Sequence, residues 1–228
     1  IYLFLLGEYQ REAFARKAKL RFMKFRIVSL CLLFAFRVGI SQNIDSLLLK
    51  LYQESNDRSR IEILLNISSF YDQHDRNFIQ AENYLYEALQ IAQTAGDNTL
   101  LANTYNELGK FYRNQSKYPE ALKYHHLADS LAVKMGDCIL QATTLNNIGV
   151  VYRRLDNHAQ ASEYHLRALN IAEGCKDTFN ISVACNSLGN IFSLNGRYQQ
   201  ALSYFNRALA LSISQNNLLG QAMNFNNI

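Results

Sequence analysis

A period of 40 residues runs through most of this chain, and no other feature restricts its fold as much. Alanine recurs at Ala81, Ala121, Ala161 and Ala201, and again at Ala88, Ala128, Ala168 and Ala208; tyrosine recurs at Tyr84, Tyr124, Tyr164 and Tyr204. Asn106-Glu-Leu-Gly109, Asn146-Asn-Ile-Gly149 and Asn186-Ser-Leu-Gly189 keep the same spacing, and Phe225-Asn226-Asn227-Ile228 opens a further copy. Several columns sharing one period of this length mean stacked copies of one supersecondary unit, each touching only its neighbours.

Within a unit the apolar residues step by three and four. Leu145, Ile148, Val151 and Tyr152 form one stripe, and Ala161, Tyr164, Ala168 and Leu169 form a second. Such steps put each stripe on one helix face. Polar breaks separate the stripes at Gln115-Ser116-Lys117, Asp156-Asn157 and Asn195-Gly196-Arg197. Pro119 follows the first break, in an opening helical turn where proline is tolerated. Between units stand Gly96-Asp97, Gly136-Asp137, Lys176-Asp177 and Asn216-Asn217. Gly or Asn ends a helix in the left-handed conformation and Asp or Asn caps the next, so each unit reads helix, tight turn, helix, tight turn. Gly109, Gly149, Gly189 and the alanine columns let helix axes approach to about 8–9 Å, with Tyr112, Tyr152 and Phe192 filling the space beside them. One hairpin cannot bury both of its apolar faces, but a stack can. The expected fold class is all-α, a solenoid of antiparallel helix-turn-helix repeats.

These residues resemble the tetratricopeptide repeat. Tyr105, Leu145, Cys185 and Phe225 stand at its first aromatic or Leu position, followed by Leu108-Gly109, Ile148-Gly149 and Leu188-Gly189, then by the aromatic and alanine columns. The resemblance covers residues 61–228 and implies a right-handed superhelix. The family's usual period is about 34 residues with a closing proline; the longer period here is similar to that of kinesin light chain and of bacterial peptide-sensing regulators. The expected units are 61–97, 98–137, 138–177, 178–217 and a partial 218–228. The first is imperfect: Asn66-Ile67-Ser68 and Tyr71 align only if one residue is inserted before Ala81, and Ser68 replaces glycine. Residues 42–60 are expected to hold one further N-terminal helix.

The resemblance also implies that the first helix of each unit lines a concave binding surface. Steps of three and four align Asn103, Asn106, Lys110 and Arg113; then Thr143, Asn146, Val150 and Arg153; then Val183, Asn186, Asn190 and Ser193. The expected ligand-binding set is Asn103, Asn106, Lys110, Arg113, Thr143, Asn146, Arg153, Asn186, Asn190 and Asn226. Asparagine is a mediocre helix former, yet its amide both donates and accepts. The column Asn106, Asn146, Asn186, Asn226 therefore either bonds the backbone of an extended peptide, as the family resemblance implies, or links neighbouring first helices and supports the array. Lys110, Arg113, Arg153 and Arg154 point to an acidic or carboxylate-bearing peptide or protein partner, or simply to a solvated face. The Lys/Asn arrangement with which chaperone-binding members grip a C-terminal carboxylate is not reproduced, because Asn stands at the first clamp position.

Nothing in the repeats indicates catalysis, and no cofactor or metal is expected. His125 and His165 share a column with Leu85 and Phe205, which makes it a packing position. Metalloprotease, nucleophile-elbow and phosphate-loop motifs are absent. Cys138, Cys175 and Cys185 lack C-x-x-C spacing and read as buried free thiols.

Residues 1–41 carry eight Lys/Arg against two acids, and the remainder carries fifteen against seventeen. The repeats therefore show no general attraction for nucleic acid. Met23-Lys24-Phe25-Arg26, an apolar run over 27–36, and Gly39 and Ser41 ahead of Gln42 have a signal-peptide layout. The run is shorter than the about 20 residues that span a bilayer. Residues 23–41 are expected to be a leader, 1–22 to lie upstream of the true start, and the mature chain to begin at Gln42. A basic transit peptide over 11–26 is the rival. The expected location is exported, periplasmic or on the extracytoplasmic side of a membrane, with an organelle or the cytoplasm as alternatives; any membrane link would come through the leader or a further C-terminal segment. The Ile1 start and the stop within the pattern suggest a fragment. The function expected is a peptide- or protein-binding scaffold, the ligand-sensing part of a larger bacterial signalling protein. A free-standing scaffold and the sensor portion of a histidine kinase are the alternatives.

Overall fold

The computed structural model describes residues 44–227. The readings over 1–22 and 23–41, with Met23 and the cut before Gln42, lie outside the described residues, as does Ile228. Residues 44–53 form helix α1, in a unit that ends at Gln53. From Glu54 a second unit contains α2 (Asp57–Phe70), a π-helical turn (Tyr71–Asp75), α3 (Phe78–Ala95), α4 (Asn98–Asn114), α5 (Tyr118–Met135), α6 (Cys138–Arg154), α7 (His158–Gly174), α8 (Thr178–Leu194), α9 (Tyr198–Ser214) and α10 (Leu218–Asn227). These pack as consecutive pairs, α2 on α3, α4 on α5, α6 on α7 and α8 on α9, and make the all-α solenoid. Helix α2 starts ahead of residue 61 because Asn56 Oδ1 accepts from the Ser59 N–H and caps it there.

The turns keep a stricter rhythm than the helices. Residues 76, 96, 116, 136, 156, 176, 196 and 216, each 20 after the last, all lie in the left-handed region, from φ 52° at Arg76 to 72° at Gly196. At six of them a six-to-one bond closes the turn, as from the Asp137 N–H to the Ala132 carbonyl (3.0 Å) and from Asp177 to Ala172 (2.8 Å). Asp97, Asp137, Asn157 and Asp177 then cap the next helix through Oδ1. Only Gly96, Gly136 and Gly196 are free of a Cβ at these positions; Lys176 holds φ 58° with one. A side chain in this region costs about 1 kcal/mol. Lys176→Gly is therefore expected to raise the unfolding free energy by about 1 kcal/mol and Gly136→Lys to lower it equally, read as shifts of the urea midpoint at constant slope.

The π turn is where the first unit absorbs its extra residue. Tyr71 stacks on Tyr84 with 5.7 Å between centroids, as Tyr112 stacks on Tyr124 at 5.5 Å. Tyr71 and Tyr112 thus correspond at an offset of 41, while the left-handed Arg76 and Ser116 correspond at 40. The insertion falls between Tyr71 and Arg76, where the helix widens by one residue instead of breaking.

Candidate functional site

One stripe of each first helix is left open by the packing. On α4 it is Asn103, Glu107, Lys110 and Asn114; on α6 Thr143, Asn147, Val150 and Arg154; on α8 Val183, Ser187, Asn190 and Leu194, all half-buried or exposed. Between α2 and α4 the face sinks into a cleft of about 280 Å³, bordered by Leu65, Asp72, Gln73, Glu107, Lys110 and Arg113. This is small for a ligand pocket and suits one inserted side chain.

The expected binding set divides here. Asn103, Asn190 and Asn226 are exposed, and Lys110, Arg113, Thr143 and Arg153 are half-buried. Asn106 and Asn146, expected on the open face, are instead buried, 4% and 2% exposed. Asn106 Oδ1 accepts from His125 Nδ1 (3.0 Å) and from Asn147 Nδ2 (2.9 Å). Asn146 Oδ1 accepts from His165 Nδ1 (3.0 Å), and its Nδ2 donates to the Asn180 carbonyl (3.3 Å) and Oδ1 (3.2 Å). A carboxamide oxygen can only accept, so each imidazole carries a proton on Nδ1. Both amides are consumed in joining a first helix to its own second helix and to the next first helix. Of the two roles open to the column, support is the one the geometry gives Asn106 and Asn146. Asn186 is half-buried and its Oδ1 is buried without a partner, because Phe205 stands where the two preceding units have histidine.

Burial pushes the His125 and His165 pKa values down to about 3, helped by Arg113, Lys110 and His126 at the first and by Arg153 at the second. Each ring lies on a glycine: a Cβ at Gly109 would sit 2.5 Å from His125, and one at Gly149 would sit 2.7 Å from His165. The packing role read for the histidine column holds, but its polar partner was missed. The signal was present, since the one unit with Leu85 at the histidine position has Leu65, not Asn, at the corresponding position, and Leu65 packs against the cluster holding Leu85. Also missed were Asn147 and Asn180. Asn180 Nδ2 donates to Thr143 Oγ1 (2.8 Å) and to its own cap Asp177 Oδ2 (2.6 Å), so Thr143 too is engaged.

The basic residues gather at the C-terminal ends of α4 and α6. Arg113 reaches Asn147 Oδ1 at 3.5 Å and Asn114 Oδ1 at 3.4 Å. Burial and then the charge of Arg154, with Arg153 adding to it, hold its pKa below the usual arginine value. Among the described residues no carboxylate forms an ion pair with Arg113, Arg153 or Arg154, and Glu107 is bound by Lys110 at 2.7 Å. The charges of Arg154 and Arg153 both bear on Arg113, with Glu107 opposing them in part, and a bound anion would stabilise this excess of positive charge.

The tetratricopeptide repeat family model matches residues 59–128 and 140–214, and the chain belongs to that family. No curated protein matches its sequence. Among solved structures it is similar to BtubC (BKLC) from P. vanneervenii, with TM-score 0.65, 19% identity, and 83% of this chain and 82% of that one covered. It is similar to a Rap protein complexed with Competence and Sporulation Factor (TM-score 0.71, 18% identity, 82% and 53% covered). It is also similar to a Signal Transduction ATPase with Numerous Domains from Pyrococcus horikoshii that carries a tetratricopeptide repeat sensor (TM-score 0.63, 20% identity, 75% and 26% covered). The chain thus spans about half of the Rap protein and a quarter of the ATPase. At these identities the likeness is one of fold. The chain is a tetratricopeptide repeat scaffold.

Proposed function

We propose that the chain holds an acidic peptide or protein segment on its first-helix face, as the ligand-sensing part of a larger, exported bacterial signalling protein. The observation that carries the reading is the Arg113, Arg153, Arg154 group, which has no carboxylate ion pair among the described residues and lies beside the open stripe. Asn103 on α4, Asn190 on α8 and Asn226 on α10, all exposed, supply neutral donors and acceptors for a bound backbone. The structural likeness to a Rap protein complexed with a named factor, and to a protein with a repeat sensor, supports a sensing role.

A labelled hexaglutamate peptide should bind in fluorescence anisotropy, more weakly as salt rises. Arg153→Glu with Arg154→Glu should weaken it by at least about tenfold, because like charges now face the ligand. Equal binding by variant and wild type would overturn the acidic-ligand reading. Export predicts that N-terminal sequencing of a periplasmic fraction finds Gln42 first, and a start that retains residues 24–36 would overturn it. A sensor role predicts an apolar run of about 20 residues after Ile228 in the reading frame; a stop after a polar capping helix would favour the free-standing scaffold.

A further inference from the structure

Cys138 and Cys175 are brought together at one end of the α6–α7 hairpin. Cys138 opens α6, directly after its cap Asp137, and Cys175 closes α7 at the C-cap. In an antiparallel pair of equal helices these two positions adjoin, although 36 residues lie between them. The neighbouring units show the same contact between other side chains. One unit later, Gln215 Nε2 donates to Thr178 Oγ1, and these residues stand 40 after Cys175 and Cys138. One unit earlier, Met135 at the Cys175 position lies with its sulfur 3.7 Å from Oγ1 of Thr99, one residue beyond the Cys138 position. The Cys138 and Cys175 thiols are therefore neighbours, near enough for each to bear on the other's ionisation. Both are half-buried, so small reagents reach them, whereas Cys185 is fully buried.

We propose that Cys138 and Cys175 are a dithiol pair that oxidises to a disulfide and locks the open end of the α6–α7 hairpin. With oxidised glutathione as the oxidant, one thiolate attacks a glutathione sulfur and releases reduced glutathione. The second cysteine then displaces the other glutathione from the mixed disulfide. The S–S bond forms, both cysteine protons leave, and the two electrons end on the two reduced glutathiones. Cys175 Sγ now donates to the Ile171 carbonyl at 3.2 Å, so its side chain must give up that bond and turn toward Cys138. Burial, and then contact with Cys138, pushes the Cys175 thiol up to about 11. The exchange should therefore quicken as pH rises from 7 to 9. A disulfide here would persist in an oxidising compartment and open in a reducing one. It therefore gives this scaffold two states, differing at the repeat that carries Arg153 and Arg154.

The test is intact-mass and peptide mapping of the full chain after incubation with oxidised glutathione. The expected product is lighter by about 2 Da than the reduced chain, yields one Cys138–Cys175 linked peptide, and loses two alkylatable thiols. Cys138→Ser and Cys175→Ser should each abolish the loss of mass, and Cys185→Ser should leave it intact. Stable glutathione adducts without intramolecular closure, or a bond involving Cys185, would overturn the proposal. A cysteine variant that unfolded would leave the wild-type mass and linked peptide as the deciding measurement.

Discussion

Gly149→Ala is expected to lower the unfolding free energy by about 3 kcal/mol, the upper range for forcing a methyl into a packed core. The new Cβ would lie 2.7 Å from His165 Nε2 and 2.8 Å from Cε1, so something must move. The ring has nowhere to go. It is fully buried, its Nδ1 bonds Asn146, and Asn146 in turn bonds Asn180 of the next first helix. Either that chain breaks or α6 and α7 spread apart. Gly174→Ala is the matched control in the same hairpin: it is helical, nothing lies within 4 Å of its Cβ position, and φ is not positive. It should gain about 0.5 kcal/mol from the reduced entropy of the unfolded chain. The first unit already contains the compensated form, with Leu65, Ser68 and Leu85 where the next two units have Asn, Gly and His, and with Ser68 Oγ bonded to the Ala81 carbonyl at 2.8 Å. Asn146→Leu, Gly149→Ser and His165→Leu together should therefore recover most of what Gly149→Ala loses. Urea unfolding measures all three proteins. An unchanged midpoint for Gly149→Ala would mean that the histidine ring is not pinned by its asparagine.

The same unit shows what could be read from sequence and what could not. Period and turn chemistry were legible because they are local. Five of the eight left-handed positions hold Gly, Asn or Asp and six of the eight positions after them hold Asp or Asn, enough to mark the turns at fixed offsets, and even the extra residue near Tyr71 was visible as a shift in register. The face that a polar residue occupies was less legible. Asn106 sits one residue past Tyr105 and two before Leu108, at the edge between the packed stripe and the open one. Spacing alone puts it near the groove. Only the imidazole arriving from the next helix decides that its amide turns inward. The open residues Asn103 and Asn190 follow from the same steps of three and four, because among the described residues no side chain from another helix bonds them. Asn147 and Asn180, by contrast, gain their roles from contacts across units, which no single repeat contains. The juxtaposition of Cys138 and Cys175 is of a related kind, since it brings together the two ends of one unit.

Acid is expected to unfold this protein well above the pH at which its carboxylates lose their charge. His125 and His165 titrate near 3 when folded against 6.5 when unfolded, so the unfolded chain takes up protons that the folded one refuses. Their contribution is fully present above pH 6.5 and is lost as pH falls from there toward 3. Each histidine contributes about 1.4 kcal/mol per pH unit over this window, so at pH 4.5 the pair removes about 5.5 kcal/mol. That is comparable to the whole stability of many domains. Asp129 acts the other way. Burial raises its pKa, so its protonation favours the folded state as pH falls and offsets part of the loss. Asp97, whose pKa is lowered by its bond to the Leu100 N–H, loses its contribution only below 3.8, outside most of the window. The decisive comparison is between wild type and Asn146→Leu with His165→Leu, which removes one of the two titrating groups together with the amide oxygen it bonds; the loss of the Asn146 donor to Asn180 Oδ1 lowers stability equally at every pH and leaves the slope alone. The dependence of unfolding free energy on pH between 6.5 and 4.5 should fall to about half in the double variant. His165→Leu alone should also halve it, yet be less stable at pH 7.5 by about 1–3 kcal/mol, because Asn146 Oδ1 is then buried without its donor. Identical slopes in all three proteins would show that the histidines are protonated in the folded state, and that the Asn–His bonds do not hold them neutral.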